Sequence, residues 1–204
     1  MAFFPIFVDI EHKNCLIVGG GKVAWRKVVK LQEYGAKVTV ISPDILAAIE
    51  EDETVICRHD TFREEDLEGM ELCIAATDDA GENHRIAEIC RAHRVPVNAV
   101  DQLEDCSFIF SSMVRQQDVV AAVSSSGKSP VLTQYLKAQI EKVLTQRVGE
   151  ANELLGKWRP YVKECFATEA ERKVVFAAMF SLCMEGEELP EEEAILALVE
   201  SYRK

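Results

Sequence analysis

With 204 residues, 48% of them hydrophobic, 7% aromatic and 28% charged, the chain has the balance of a folded globular protein and too much apolar material for a disordered one. Its formal net charge of -12 argues against general nucleic-acid binding, which needs a basic surface to release counterions from phosphate. No segment has the length and apolarity of a membrane span, and Met1 to Pro5 lack the basic leader of a signal peptide, so a cytoplasmic location is expected.

The first element in chain order is a buried-strand run, Asn14 to Val18, that ends in Gly19-Gly20-Gly21 and continues as a helix through Lys22, Val23 and Ala24. It fits G-x-G-x-x-A. Gly19 makes the tight turn, Gly21 lets the backbone approach a pyrophosphate, and the small Ala24 allows close packing of helix on strand. Ala24, Val28 and Leu31 fall on one helical face, and the helix is expected to stop near Gly35. Lys37 to Ile41 forms a second strand. The strand-helix-strand setting predicts a dinucleotide site with the diphosphate at the helix N-terminus.

The acidic residue that commonly closes the second strand is missing, since that strand runs into Ser42-Pro43-Asp44. Ser42 and Asp44 are the available ribose partners. No Arg or Lys stands there for a 2′-phosphate, which favours NAD over NADP.

Further strands are expected at Thr54 to Cys57, Leu72 to Thr77 and Val95 to Val100, giving a doubly wound α/β pattern. Ligands of such sheets gather beyond the carboxyl ends of the strands. Thr77, Asp78, Asp79 and Asn83 follow the fourth strand; Asn98 and Asp101 mark the end of the fifth. Thr77 is placed to touch a cofactor, whereas Asp78 and Asp79 also suit a helix cap. Asp101 is the candidate catalytic carboxylate, with an ordinary turn as the plain alternative.

Ser107 to Phe110 and Val119 to Val123 read as two more strands, the second leading into Ser124-Ser125-Ser126-Gly127-Lys128-Ser129-Pro130. Gly127-Lys128-Ser129 resembles the end of a P-loop, but that motif needs glycine where Ala122 stands. Pro130 suits the first turn of a long helix whose Leu132, Tyr135, Leu136, Ile140, Val143 and Leu144 form a burial face for its own domain or a partner chain. Around it Arg115, Lys128, Lys137, Lys142 and Arg147 stand against only Asp118 and Glu141, a locally positive segment in an acidic chain.

The tail is helical. Val148, Ala151, Leu154, Leu155 and Trp158 form a stripe that Pro160 is expected to bend or end. Thr168 to Glu171 has capping-box spacing, and Pro190 to Glu193 opens a last helix, so the acids from Glu185 to Glu193 read as a solvated helix entry. The seven cysteines form no C-x-x-C pair and read as reduced core residues. His12, His59, His84 and His93 lack ligand spacing, so no metal site is assigned.

Phe4 to Val8, Val18 to Lys27, Ala75 to Asp78, Val97 to Asp101 and Ser124 to Pro130 follow the order seen in precorrin-2 dehydrogenases, a family the chain resembles over nearly its whole length. Related sirohydrochlorin ferrochelatases, including the N-terminal part of siroheme synthase, share the pattern. The resemblance implies a Rossmann-type NAD-binding domain over 1–112, a dimerisation and substrate-binding region over 113–147 and a helical C-terminal domain over 148–204, in a homodimer. It implies NAD-dependent oxidation of precorrin-2 to sirohydrochlorin and leaves Fe2+ insertion open as a second activity. Asp101 takes the acid/base role; Gly19, Gly21, Lys22, Val23, Ser42, Pro43, Asp44, Thr77 and Asp78 attend the cofactor; and Ser124, Ser125, Ser126, Lys128 and Arg115 are expected to hold the substrate carboxylates. A non-catalytic NAD-sensing module and a different dehydrogenase on the same fold stand as alternatives.

Overall fold

In the computed structural model, residues 3–186 and 188–203 are described; Met1 and Ala2 of the leader reading and Glu187 of the acidic run lie outside them. The chain divides into two compact units, Met1–Phe110 and Ser111–Lys204.

The first unit is a five-stranded parallel sheet of order β3-β2-β1-β4-β5, built from β1 (Asn14–Val18), β2 (Lys37–Ile41), β3 (Ile56–Arg58), β4 (Leu72–Ala75) and β5 (Val97–Ala99). Alternation along β1 explains why the strand is apolar throughout. Cys15 and Ile17 face α1 (Lys22–Gln32) through Ala24, Val28 and Leu31, while Leu16 and Val18 face α3 (Ala80–His93) through Ile86, Ala87 and Cys90. A strand covered on both faces needs no polar side. A short helix, α2 (Ala47–Glu50), follows β2. The chain goes one way from β1 to β2 and the other way to β4, so the crevice for a ligand opens beyond the carboxyl end of β1.

Three strand boundaries are tighter than the sequence pattern. β3 starts at Ile56 because Asp52 Oδ1 accepts from the Thr54 amide (3.0 Å) and hydroxyl (2.6 Å), closing a turn over the expected first residue. β4 ends at Ala75, before the turn that holds Thr77, and β5 covers only Val97–Ala99. The strand expected at Ser107 to Phe110 is not formed. Ser107 Oγ accepts from the Val97 amide (2.7 Å), so a side chain occupies the donor that a ladder would need.

The second unit opens on an antiparallel hairpin, β6 (Ser112–Gln116) and β7 (Val119–Val123). Gln117 turns it at φ 52. Then come α4 (Pro130–Val143), α5 (Gln146–Cys165), α6 (Glu169–Met184) and α7 (Glu192–Ser201). Pro130 takes the first turn of α4, with Ser129 Oγ accepting from the Leu132 amide at 3.2 Å. Thr168 and Glu171 make the reciprocal capping box of α6. Pro160 does not end α5, which continues to Cys165. Ala151 and Val162 are fully buried on either side of it, and that packing carries the helix past one missing amide. Val162, Val175, Met179, Ile195 and Val199 form the core of this bundle.

Of the two placements expected for the α4 face, its own unit or a partner chain, the first is not filled, since no residue of the helix is buried. Tyr135 is 61% and Val143 71% exposed. Among the described residues, no helix is long and apolar enough to cross a membrane.

Candidate functional site

A cleft of about 870 Å³ lies along the carboxyl edge of the sheet. Gly19, Gly21, Ser42, Pro43, Asp44, Thr77 and Asp78 line it together; Lys22 and Val23 stand beside it in the first turn of α1, Lys22 exposed and Val23 half-buried. The three glycines do different work. Gly19 has φ +116, and a Cβ there would overlap the Ala76 carbonyl. At Gly20 a Cβ would overlap the Asp44 carbonyl, so this glycine lets the loop after β2 close over β1, with the Leu46 amide bonded to the Gly20 carbonyl at 2.8 Å. A Cβ at Gly21 would meet nothing within 4 Å and would stand in open space.

Gly21 is also the N-cap of α1. It supplies no side-chain cap, and the first turn carries no acid, so the first amides of the helix are left for an outside acceptor. Uncapped amides, a positive helix end and open space above Gly21 fit a dinucleotide diphosphate.

The opposite wall is held by Asn83, which is 4% exposed. Its Oδ1 accepts from the Thr77 amide (3.0 Å) and hydroxyl (2.8 Å), and its Nδ2 donates to the Thr77 carbonyl (3.0 Å). Asp79 caps α3 by accepting from the amides of Gly81 and Glu82, and both it and Asp78 line the cleft.

Sequence reasoning missed Gly20, Asp60, Thr61, Phe62, Glu82 and Arg85, which also line the cleft. Asp60 to Phe62 follow β3, and the rule that ligands gather past strand ends would have found them had β3 been ended correctly. Arg85 is a cation on the wall, but Glu82 binds it in two bonds of 2.8 Å and its Nη2 donates to the Phe62 carbonyl. Glu82 keeps Arg85 above its ordinary value and is itself held below the usual carboxylate range by that pair. The charge is thus neutralised within the protein.

Asp101 does not line this cleft. It sits in a left-handed turn (φ 60) immediately after β5, exposed, at the same edge of the sheet. Two strand spacings, about 10 Å, separate the ends of β1 and β5. Asn98, grouped with Asp101 from the sequence, is buried inside β5, and its Nδ2 donates to the Phe108 carbonyl at 3.1 Å, so it tethers the following segment.

Lys27, half-buried on α1, lies with its ammonium 3.6 Å from the Phe110 ring centre. Burial pushes its pKa down to about 8, helped by Arg26, while Cys106 and the Asp101 carboxylate pull the other way. Asp101 therefore has a cationic neighbour on the helix that follows the glycine turn.

The turn after β5 is latched to α3 by buried Asp105, which accepts from His84 Nδ1 at 2.9 Å and Arg91 Nη2 at 3.2 Å. The hydrogen bond to Asp105 raises the His84 pKa above 6.5, and the bond from His84 lowers that of Asp105 below 3.8. The His84 contribution to stability is therefore complete below pH 6.5 and lost as pH rises through the raised value. The Asp105 contribution is present above 3.8 and lost as pH falls through the lowered one. Urea midpoints measured from pH 5.5 to 8.5 should fall with pH in the parent chain, and the slope should flatten in His84→Gln.

In the second unit, Ser124 and Lys128 are exposed, and Ser125 and Ser126 half-buried. The serines largely bond their own loop: Ser129 N donates to Ser125 Oγ at 2.9 Å and Ser126 N to Ser124 Oγ at 3.0 Å. Ser126 and Gly127 both have positive φ. Arg115 is exposed and its Nε donates to the Gln117 carbonyl.

An NAD(P)-binding family model, NAD_binding_7, matches residues 6–112, more than half of the chain. The chain belongs to this NAD(P)-binding family. Within that family assignment, it is 42% identical over 180 residues to siroheme synthase of Nitrosospira multiformis, covering 85% of this chain and 38% of that protein. It is 35% identical over 184 residues to siroheme synthase of Ruthia magnifica, covering 89% and 39%. The chain thus spans about two fifths of the length of these relatives. Among solved structures, SirC, a precorrin-2 dehydrogenase, has the same fold at a TM-score of 0.78 and 21% identity, over 98% of this chain and 100% of that one.

Proposed function

We propose that the chain binds NAD+ at the carboxyl edge of its sheet and oxidises precorrin-2 to sirohydrochlorin. The observation that carries this reading is the pairing of an uncapped, glycine-opened helix N-terminus with a carboxylate, Asp101, presented at the same sheet edge. The similarity to siroheme synthases supports precorrin-2 as the substrate. Ser42 and Asp44 reach for the ribose, and Lys22 and Val23 frame the diphosphate with Gly19 and Gly21. NAD is preferred over NADP because the second strand ends without a cation and Arg85 is already bound by Glu82.

Bound NAD+ supplies a hydride acceptor. Asp101 takes the proton that leaves the macrocycle, as a carboxylate base presented at the sheet edge. Ser124, Ser125, Ser126, Lys128 and Arg115 hold the substrate carboxylates at the N-terminus of α4. Residues 113–147 form the dimerisation and substrate region and 148–204 the helical domain. The exposed apolar face of α4 supports a homodimer, because a second copy would cover it. Seven free thiols suit a reducing cytoplasm. Fe2+ insertion into sirohydrochlorin is the second step this site is offered.

The test is absorbance of the purified chain with precorrin-2 and NAD+, followed by Fe2+. NAD-dependent formation of sirohydrochlorin is expected. Acceleration of siroheme formation over the protein-free rate would add the chelatase step. NAD+ binding without any oxidation would overturn the enzyme reading and leave an NAD-sensing module.

A further inference from the structure

The helical unit carries a second concavity, of about 720 Å³, between α5 and α6. Arg159 and Lys163 come to it from one face of α5, a turn apart, and Arg172 and Lys173 from the first turns of α6. A single carboxylate, Glu169, shares the lining. The adjoining faces of the two helices bury Val162, Val175 and Met179, and Leu155 and Phe176 pack against that core, so the bundle fixes this arrangement.

Charge pairing sets the cleft apart. Acids outnumber bases 35 to 23 in this chain, and nearby cations find them: Lys157 pairs with Glu192, and Arg203 with Glu200. Among the described residues, no ion pair engages Arg159, Lys163, Arg172 or Lys173. Arg172 is instead held by main-chain oxygens, its Nε donating to the Thr168 carbonyl (3.1 Å) and its Nη2 to the Ala167 carbonyl (3.3 Å). Four converging cations repel one another, and an acidic protein that could neutralise them leaves them to an outside anion.

The floor is not polar. Leu155 and Phe176 line it, and the Arg159 guanidinium lies 5.8 Å from the Phe176 ring centre. Gly156 opens one side, since a Cβ there would meet nothing within 4 Å. An apolar, ring-faced floor rimmed by cations matches a flat conjugated molecule with several acid groups better than a bare phosphate. A long polyanion is disfavoured by the chain's overall charge of -12.

We infer that the α5/α6 cleft is a second anion site, which takes a planar polycarboxylate through Arg159, Lys163, Arg172 and Lys173 around Phe176. The choice of a carboxylated tetrapyrrole as that molecule rests on the function proposed above; the anion site itself does not. A separate site for the same chemical class would retain product or substrate on the protein between catalytic events.

Calorimetric titration of the full chain at saturating NAD+ with uroporphyrin, an octacarboxylated planar ring, and in parallel with inorganic tripolyphosphate, tests this. A binding event for uroporphyrin that weakens at least tenfold in Arg159→Glu/Lys163→Glu is expected. It should survive in a charge-matched control, Lys13→Glu/Lys37→Glu, at the amino ends of the strands. Gly156→Phe, which fills the cleft without changing charge, should lose the same event while leaving the melting temperature at or above that of the parent. Unchanged uroporphyrin binding in both cleft variants would overturn the site. Tighter binding of tripolyphosphate, lost in the same variants, would overturn the polycarboxylate assignment. Precorrin-2 oxidation followed alongside separates the two readings: an inactive parent chain with an intact cleft event removes the dehydrogenase and keeps the anion site.

Discussion

Gly19→Ala is expected to destabilise the chain by about 3 kcal/mol and to abolish measurable NAD+ binding, whereas Gly21→Ala should keep the parent's stability and lose only the binding. The two glycines stand two residues apart in one turn, yet the physics differs. At Gly19 φ is +116, outside the range that an L side chain adopts cheaply, and the new methyl would overlap the Ala76 carbonyl. Strain of this kind costs on the order of 1–3 kcal/mol by itself, and the overlap adds to it by forcing β1 and β4 apart at their carboxyl ends. At Gly21 the backbone is extended, at φ -86 and ψ -170, and the methyl would stand in open space. That space is where the diphosphate must come to meet the uncapped amides of α1, so only the ligand feels the change. Urea unfolding and NAD+ titration of the two variants, side by side, separate the effects. Equal loss of stability in both would mean that Gly21 also serves the fold.

The same contrast shows what could be read in advance. The apolar run at Asn14 to Val18, its glycines and the Ala24, Val28, Leu31 face predict β1 and the start and buried face of α1, which ends at Gln32, short of the expected stop near Gly35, because their periodicity and their packing agree. Thr168 with Glu171, and Pro130 in the first turn of α4, were legible for a like reason: a helix start is a local arrangement, and its residues lie within four positions. What was hidden depends on distant partners. Ser107 to Phe110 has a strand's composition, but Ser107 Oγ takes the Val97 amide and breaks the ladder, a contact across ten residues. Arg85 looks like an ordinary helix-surface cation paired with Glu82 one turn away until the segment after β3 brings the Phe62 carbonyl against it. The α4 stripe announced burial, yet its own unit leaves it open, because periodicity records that a face is apolar and not what covers it. Asp101 was visible as a carboxylate at a strand end. Its partner Lys27 was not, because the strand-helix geometry that joins them spans more than seventy residues.

Removing that lysine should make the protein more stable at neutral pH and a poorer catalyst. Burial has lowered the Lys27 pKa from 10.5 to about 8, so holding its charge in the folded state costs stability. The cost is present in full below pH 8, where the amine is charged in both folded and unfolded chains. It fades between about 8 and 10.5, where the folded chain has already released the proton and the unfolded one has not. Lys27→Met, which keeps the length and the contact with Phe110, should therefore unfold at higher urea than the parent at pH 7, with the gain shrinking towards pH 10. Its precorrin-2 oxidation should respond in the opposite sense. Without that cation the sheet edge attracts the carboxylates of the proposed substrate less, so kcat/KM falls. Asp101→Asn keeps the shape and cannot accept the proton, and it should lower kcat by about 10² to 10⁴ with little change in NAD+ affinity. A Lys27→Met chain that gains stability with an unchanged kcat/KM would sever the lysine from the chemistry. A chain that gains none would mean that the Phe110 contact and the Asp101 attraction already repay the burial. The expected pattern, a stabilised variant with a lower kcat/KM, is what a residue kept for its charge at a site would give.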